Sequence, residues 1–154
     1  AAMGGGIMIG FNWLVSCKSL SPEKKGVSIP KEWFDINGYI KIGDTGMVTI
    51  YSPNPEIGQN VMTSMPMIVA EELDVPWETV IVEQGALDED SFRNPQMAGG
   101  SNSIKRGWDP LRMAGAAGKR MLLEATAKEW AIPVKNLSGR NGVITDKSGD
   151  RKID

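Results

Sequence analysis

Tyr39-Ile40-Lys41-Ile42, then Gly43-Asp44-Thr45-Gly46, then Met47-Val48-Thr49-Ile50-Tyr51 reads as strand, four-residue loop and strand. The flanks alternate or run apolar and the loop carries turn residues, the pattern of a β-hairpin. Pro53 and Pro55 end the second strand. From Gln59 to Asp74 the apolar residues Val61, Met62, Met65, Ile68, Val69 and Leu73 recur at i, i+3 and i+4. That spacing predicts one buried helix face. Pro66 lies inside the pattern, where it is expected to kink the helix or to sit where its missing N–H leaves no bond unmade. Val80-Ile81-Val82-Glu83-Gln84 is short and β-branched, a strand. The middle of the chain therefore runs β-β-α-β.

Working outward, Gly85 to Gly100 has no periodicity of its own, and irregular loops of that length are uncommon and often functional. Asp109-Pro110 then reads as the N-cap and first residue of the longest helix. Its stripe of Leu111, Ala114, Gly115, Gly118, Met121, Leu122 and Ala125 ends near Trp130, before Pro133. Small residues on such a stripe cost helix propensity, so Gly115 and Gly118 are expected to let another backbone come close. Leu137–Arg140 and Val143–Thr145 flank Asn141-Gly142, a two-residue hairpin signal. The predicted class is α+β, a mixed sheet with two main helices packed on it, in the order β-β-α-β-α-β-β.

The N-terminal part differs in character. Ala2 to Val15 is apolar, glycine-rich and uncharged. It is shorter than the roughly 20 residues a membrane span needs and fits the apolar region of an export signal. Residues 1–20 are read as a remnant of such a leader, and 21–37 as a polar connector broken by Pro22 and Pro30. Leu14-Val15-Ser16-Cys17 is similar to a bacterial lipobox, in which the cysteine is acylated; a thiol without a role is the other reading of Cys17. The regular domain is expected over 38–154.

Composition removes whole classes of chemistry. The 154 residues include no histidine and one cysteine, with 17 Lys plus Arg against 19 Asp plus Glu and a net charge of −2. Ser-His-Asp and Cys-His catalysis, His-ligated zinc and Cys-ligated clusters are thereby excluded from this chain. The charge balance offers no footprint for nucleic acid. No catalytic residue and no metal ligand is assigned.

Three constellations remain. Gly99-Gly100-Ser101 closes the long loop just before a helix, with Lys105 and Arg106 a turn further on. Glycines admit a ligand to the backbone, and free N–H groups at a helix start favour an anion; a plain loop tip is the alternative. Glu56-Ile57-Gly58-Gln59 stands at the entry to the first helix, where Gln59 and unpaired N–H groups are expected to act as donors; a bare helix start is the alternative. Asp88-Glu89-Asp90 is read as a solvated acidic loop rather than a cation site or an acid–base pair.

Pro55-Glu56-Ile57-Gly58-Gln59, Met65-Pro66-Met67-Ile68-Val69-Ala70-Glu71-Glu72-Leu73-Asp74, Val80–Gln84, Asn94-Pro95-Gln96, Gly99-Gly100-Ser101-Asn102-Ser103 and Trp108–Ala117, in that order, resemble one family. It is the molybdenum-binding large subunits of the xanthine dehydrogenase/aldehyde oxidase type, nearest to isoquinoline 1-oxidoreductase beta subunits. The resemblance covers roughly residues 38–146. It implies a hydroxylase that inserts water-derived oxygen into N-heterocycles or aldehydes at molybdopterin, in bacteria typically the cytosine dinucleotide. It also implies a small partner subunit carrying 2Fe–2S clusters and, with the leader, a periplasmic or cell-envelope location. The family's cofactor-contacting Gly-Gln-Gly turn falls on Gly58, Gln59 and Asn60, so the third glycine is replaced. The family's late Gly-Glu-Pro-Gly-like segment with its catalytic Glu has no counterpart here. The chain is therefore expected to be an inactive piece of a longer subunit that binds no cofactor by itself, with Gly58, Gln59, Gly99, Gly100 and Ser101 facing the cofactor in the whole. The alternative is a non-catalytic scaffold module of an exported or lipid-anchored envelope protein.

Overall fold

A computed structural model describes residues 28–88, 90, 92 and 95–154. The leader and Cys17 lie outside the described residues. The predicted hairpin is present: β2 (Ile40–Gly43) pairs antiparallel with β3 (Val48–Ser52), placing Ile40 opposite Ile50 and Ile42 opposite Val48. A further strand precedes it, β1 (Trp33–Asn37), inside the stretch read as connector. β1 is an edge strand with Trp33 and Phe34 exposed, and its register slips between Asp35 and Asn37. Its apolar side chains thus carry no clean period-2 signal. The Asn37 side chain fixes the turn, accepting from the Tyr39 N–H at 2.9 Å and donating to the Ala114 carbonyl at 3.1 Å.

Helix α1 (Val61–Leu73) follows β3 and returns the chain to β4 (Val80–Gln84), parallel to β3. The order in this four-stranded mixed sheet is β1-β2-β3-β4. Pro66 stays inside α1 and is fully buried, leaving the Met62 carbonyl without its usual intrahelical donor. Val61, Met65, Val69 and Leu73 form the buried stripe.

Helix α2 (Ser103–Glu129) starts earlier than expected. Asp109-Pro110 is internal, not the cap and first residue; Asn102 is the N-cap. Two extra turns form because Gly107 and Leu111 continue the buried stripe: a Cβ on Gly107 would lie 2.8 Å from Met65 Cε. Burial along the helix outweighs the single bond lost at Pro110. The helix ends as expected, with Trp130 as its C-cap. The glycine stripe sits where α1 and α2 meet. A Cβ on Gly115 would collide with the Val69 carbonyl and come within 2.8 Å of Glu72 Cβ; one on Gly118 would meet Ile40 Cδ1 at 3.1 Å.

The C-terminal strands form a second sheet rather than joining the first: β5 (Leu137–Arg140), β6 (Val143–Asp146) and β7 (Lys152–Ile153), all antiparallel. Asn141 and Gly142, at φ 53° and 77°, make the expected hairpin turn. Asp74, the left-handed C-cap of α1, clips that turn to the core. Its carboxylate accepts from the Asn141 N–H at 2.9 Å and from Lys119 Nζ at 2.7 Å, and its carbonyl accepts from the Gly142 N–H at 2.7 Å. The architecture is α+β, with β1 and β7 added to the predicted order.

Candidate functional site

Ser52 and Gln84 are paired at the C-terminal ends of the parallel strands β3 and β4. Residues 53–60 lead from there to α1, and residues 85–102 lead to α2. Loops at this end of parallel strands are where βα units present ligand-binding backbone. Both segments singled out in the sequence therefore sit at one end of the sheet, each at a helix N-terminus.

The short loop is closed on itself. Gly58 lies at φ 99°, and Asn60, the N-cap of α1, at φ 61°. Asparagine tolerates this left-handed conformation better than most residues, so the turn forms without the third glycine. The Glu56 carboxylate lies under the turn and accepts from the N–H groups of Gly58 at 2.7 Å, Asn60 at 3.0 Å and Met62 at 3.1 Å. The bond from Met62 leads in holding this carboxyl below the usual glutamate range; partial burial opposes it. Gln59 does not reach outward as a donor. Its Nε2 donates to the Pro55 carbonyl at 2.9 Å and its Oε1 accepts from the Ile57 N–H at 2.7 Å. At this helix start the Met62 N–H is thus taken by a carboxylate four residues ahead of the N-cap, and the Gln59 amide is spent inside the loop. An acidic residue just before a helix is the sequence signal for that arrangement.

The long loop is held from outside. The Gln96 amide donates to the carbonyls of Ala86 at 2.7 Å and Pro53 at 3.0 Å, and accepts from the Asp88 N–H at 2.6 Å. The buried Asn54 donates to the Met97 carbonyl at 2.7 Å and to Ser103 Oγ at 3.2 Å. Sequence reasoning gives neither residue a site role. Gly100 and Ser101 follow at φ 63° and 52°, and Asn102 caps α2 without a side-chain bond. Gly99 and Gly100 line a cavity of about 200 Å³ together with Asn54, Met97, Ser103 and Arg106. Tyr39 and Phe92, whose rings meet edge to face at 4.8 Å, also line it. Gly58 and Gln59 do not. Lys105 is exposed on the first turn of α2. In the acidic stretch, Asp88 Oδ1 accepts from the Asp90 N–H at 3.1 Å, and Glu89 lies outside the described residues. Among the described residues no three acidic or cysteine side chains converge as a metal site.

The two helix starts thus differ in what they fit. The N-cap of α2, Asn102, makes no side-chain bond to the first N–H groups and has glycines in front of it, which suits an anion. The α1 start already holds an anion of its own.

The family model of the molybdopterin cofactor-binding domain matches residues 9–154. The chain belongs to that family. This molybdopterin-binding domain is also similar to the beta chain of an isoquinoline 1-oxidoreductase from Brevundimonas diminuta, 32% identical over 75% of this chain and 15% of the relative. A membrane-bound aldehyde dehydrogenase (pyrroloquinoline-quinone) of Gluconacetobacter polyoxogenes is 29% identical over 82% of this chain and 16% of its own length. The B chain of the nicotinate dehydrogenase of Pseudomonas putida is 29% identical over 83% of this chain and 11% of the relative. The domain thus spans 11 to 16% of the curated relatives it matches, which are oxidoreductases.

Proposed function

We propose that this domain forms part of the cofactor cradle of a molybdenum hydroxylase that oxidises an N-heterocycle or an aldehyde with water-derived oxygen. The observation that carries the reading is the open start of α2 behind Gly99 and Gly100, beside a cavity, on a chain of the molybdopterin-binding family. The bound group would supply two-electron redox chemistry at molybdenum. The chain's own part is to bind and orient. Gly99 and Gly100 leave room for close approach, and the first N–H groups of α2 with Arg106 and Lys105 counter the negative charge of the pterin phosphates. Asn54 and Gln96 hold that loop in place. The resemblance assigns proton transfer to a Glu of a Gly-Glu-Pro-Gly-like segment that this sequence does not contain, so the isolated domain is expected to turn nothing over.

Further parts of the reading are a cytosine dinucleotide form of the cofactor, a small subunit carrying 2Fe–2S clusters, and a periplasmic or envelope location with Cys17 as a lipid anchor. The scaffold alternative keeps the same fold without cofactor contact. The experiment is purification of the full-length subunit with its natural partners, wild type and Gly100→Val, followed by metal analysis and release of the nucleotide by acid. Molybdenum with cytidine monophosphate in the wild type, and loss of both in Gly100→Val at unchanged subunit yield, is the expected result. Equal loading of the two proteins favours the scaffold, and pyrroloquinoline quinone without molybdenum overturns the reading. Fractionation and palmitate labelling of Cys17→Ser test the location and the anchor.

A further inference from the structure

The α1 start belongs to the same end of the molecule, yet the N–H groups of Gly58, Asn60 and Met62 there are bonded to a side chain of the chain's own. Three N–H groups converge on one half-buried carboxylate while residues 57–60 stay exposed above it. Two of the residues so held, Gly58 and Asn60, have positive φ, a region glycine adopts freely but an L residue such as Asn60 occupies at a cost. Gln59 then closes the outside of the loop by bonding to Pro55 and Ile57. Among the described residues, Glu56 is thus the one side chain bonded to both sides of the turn and to the first turn of α1. It is also the charge that the positive end of α1 would otherwise seek from solvent or ligand.

We infer that Glu56 is a positioning residue, the resident anion of α1, which fixes the Gly58-Gln59-Asn60 turn beside the proposed cofactor cradle, at the same end of the sheet, without touching the cofactor. The inference rests on the cofactor reading above and adds to it the residue on which the shape of the first turn depends. It also assigns the two helix starts different tasks. The α2 start is left for an external anion, and the α1 start is withheld from one.

The test is chemical rescue in the full-length subunit. Glu56→Ala removes the carboxylate and leaves its donors facing a small hole. Molybdenum content is expected to fall, by about tenfold where loading is limited by affinity, as for other residues that orient a metal site from behind. Acetate or formate added during cofactor loading is expected to restore much of it, and acetamide, neutral and of similar size, is not. Glu56→Gln keeps the volume and serves where the alanine variant does not fold; it too is expected to load poorly. Normal loading of the soluble Glu56 variants overturns the inference, as does equal rescue by acetamide. Gly100→Val separates this failure from that of the wider reading. If Gly100→Val loses molybdenum while Glu56→Ala keeps it, the role of Glu56 alone is wrong; if both keep it, the cradle assignment falls as well.

Discussion

The loops 53–60 and 85–102 leave neighbouring parallel strands and end at helix N-termini, but they are held by opposite means. The first is tied by its own side chains: Glu56 and Gln59 bond backbone groups within six residues of themselves. The second borrows Asn54 from the first loop and uses Gln96 to reach back to Pro53. Closure of a short loop needs few ordering contacts, whereas a longer loop loses more chain entropy and needs distant anchors. The difference has a chemical consequence. Local closure gives the Met62 N–H of α1 a carboxylate partner, while Asn102, the N-cap of α2, makes no side-chain bond.

Both loops depend on one helix crossing, so the largest effect is expected from breaking it. Gly115→Leu places a side chain against the Val69 carbonyl and Glu72 Cβ, atoms that cannot swing aside as a side-chain tip does. Overpacking of this kind costs about 1–3 kcal/mol. Thermal unfolding is expected to shift down correspondingly, with both loops losing hydrogen-exchange protection together. An unchanged melting temperature would mean that α1 and α2 do not cross at this glycine.

The next substitution separates the loops. Asn54→Ala removes a buried amide that bridges the long loop and the start of α2, and leaves the Met97 carbonyl without that donor. The expected loss is about 1–3 kcal/mol, towards the lower end where water reaches the freed groups. Exchange should rise over 95–104 and stay low at the amides of Gly58, Asn60 and Met62. Equal loosening of both loops would show that they form a single unit.

How much of this is legible in the sequence follows the same division between local and distant contacts. The hairpin at Gly43–Gly46, the α1 stripe, the Asn141-Gly142 turn and the close approach at Gly115 and Gly118 all depend on neighbours in sequence or on one helix face, and they are readable. β1 is not: it is a bulged edge strand with exposed aromatics, and its pairing, not its own pattern, makes it a strand. The start of α2 is misplaced by sequence because Asp109-Pro110 is a good local start signal, overridden by packing of Gly107 on Met65 that no local rule contains. At the site, the glycines and the resemblance single out two segments that the fold brings to one end of the sheet. Gln59 reads outward when donors are sought, while the acceptor three residues before it, Glu56, has already claimed the backbone.

Acid should discriminate between the two loops as well. Glu56 is held below the ordinary glutamate pKa of about 4.3. Its contribution to stability is therefore complete above that value. It declines as pH falls through the ordinary value and is gone below the lowered one. The side chain is solvated, so screening keeps the effect below that of Asn54→Ala. Following the amide signals of Gly58 and Met62 against pH should show loss of order as pH falls below the ordinary glutamate range, before the Met97–Ser103 segment changes. Glu56→Gln is expected to abolish that acid step. A step that persists in the variant would assign the titration to another carboxylate, with Asp74 first in line because it too is held low, chiefly by its bond from Lys119.

The smallest effect is expected from Asn60→Gly, which puts the freest residue at the left-handed N-cap of α1. Two terms oppose each other. Glycine removes the strain of an L residue at φ 61°, worth about 1 kcal/mol and less for asparagine. It also frees the unfolded chain, which costs about 0.5–1 kcal/mol. The Asn60 side chain makes no capping bond, so nothing else is lost, and the melting temperature should move by under about 2 °C. Asn60→Val is the sharper control. A β-branched residue is a genuine outlier in the left-handed region, and it should open the turn although Glu56 remains. If Asn60→Val left the Gly58 and Met62 amides as protected as in the wild type, the carboxylate alone would suffice to hold the loop. If Asn60→Gly loosened them, the asparagine side chain would have a bonding role in solution.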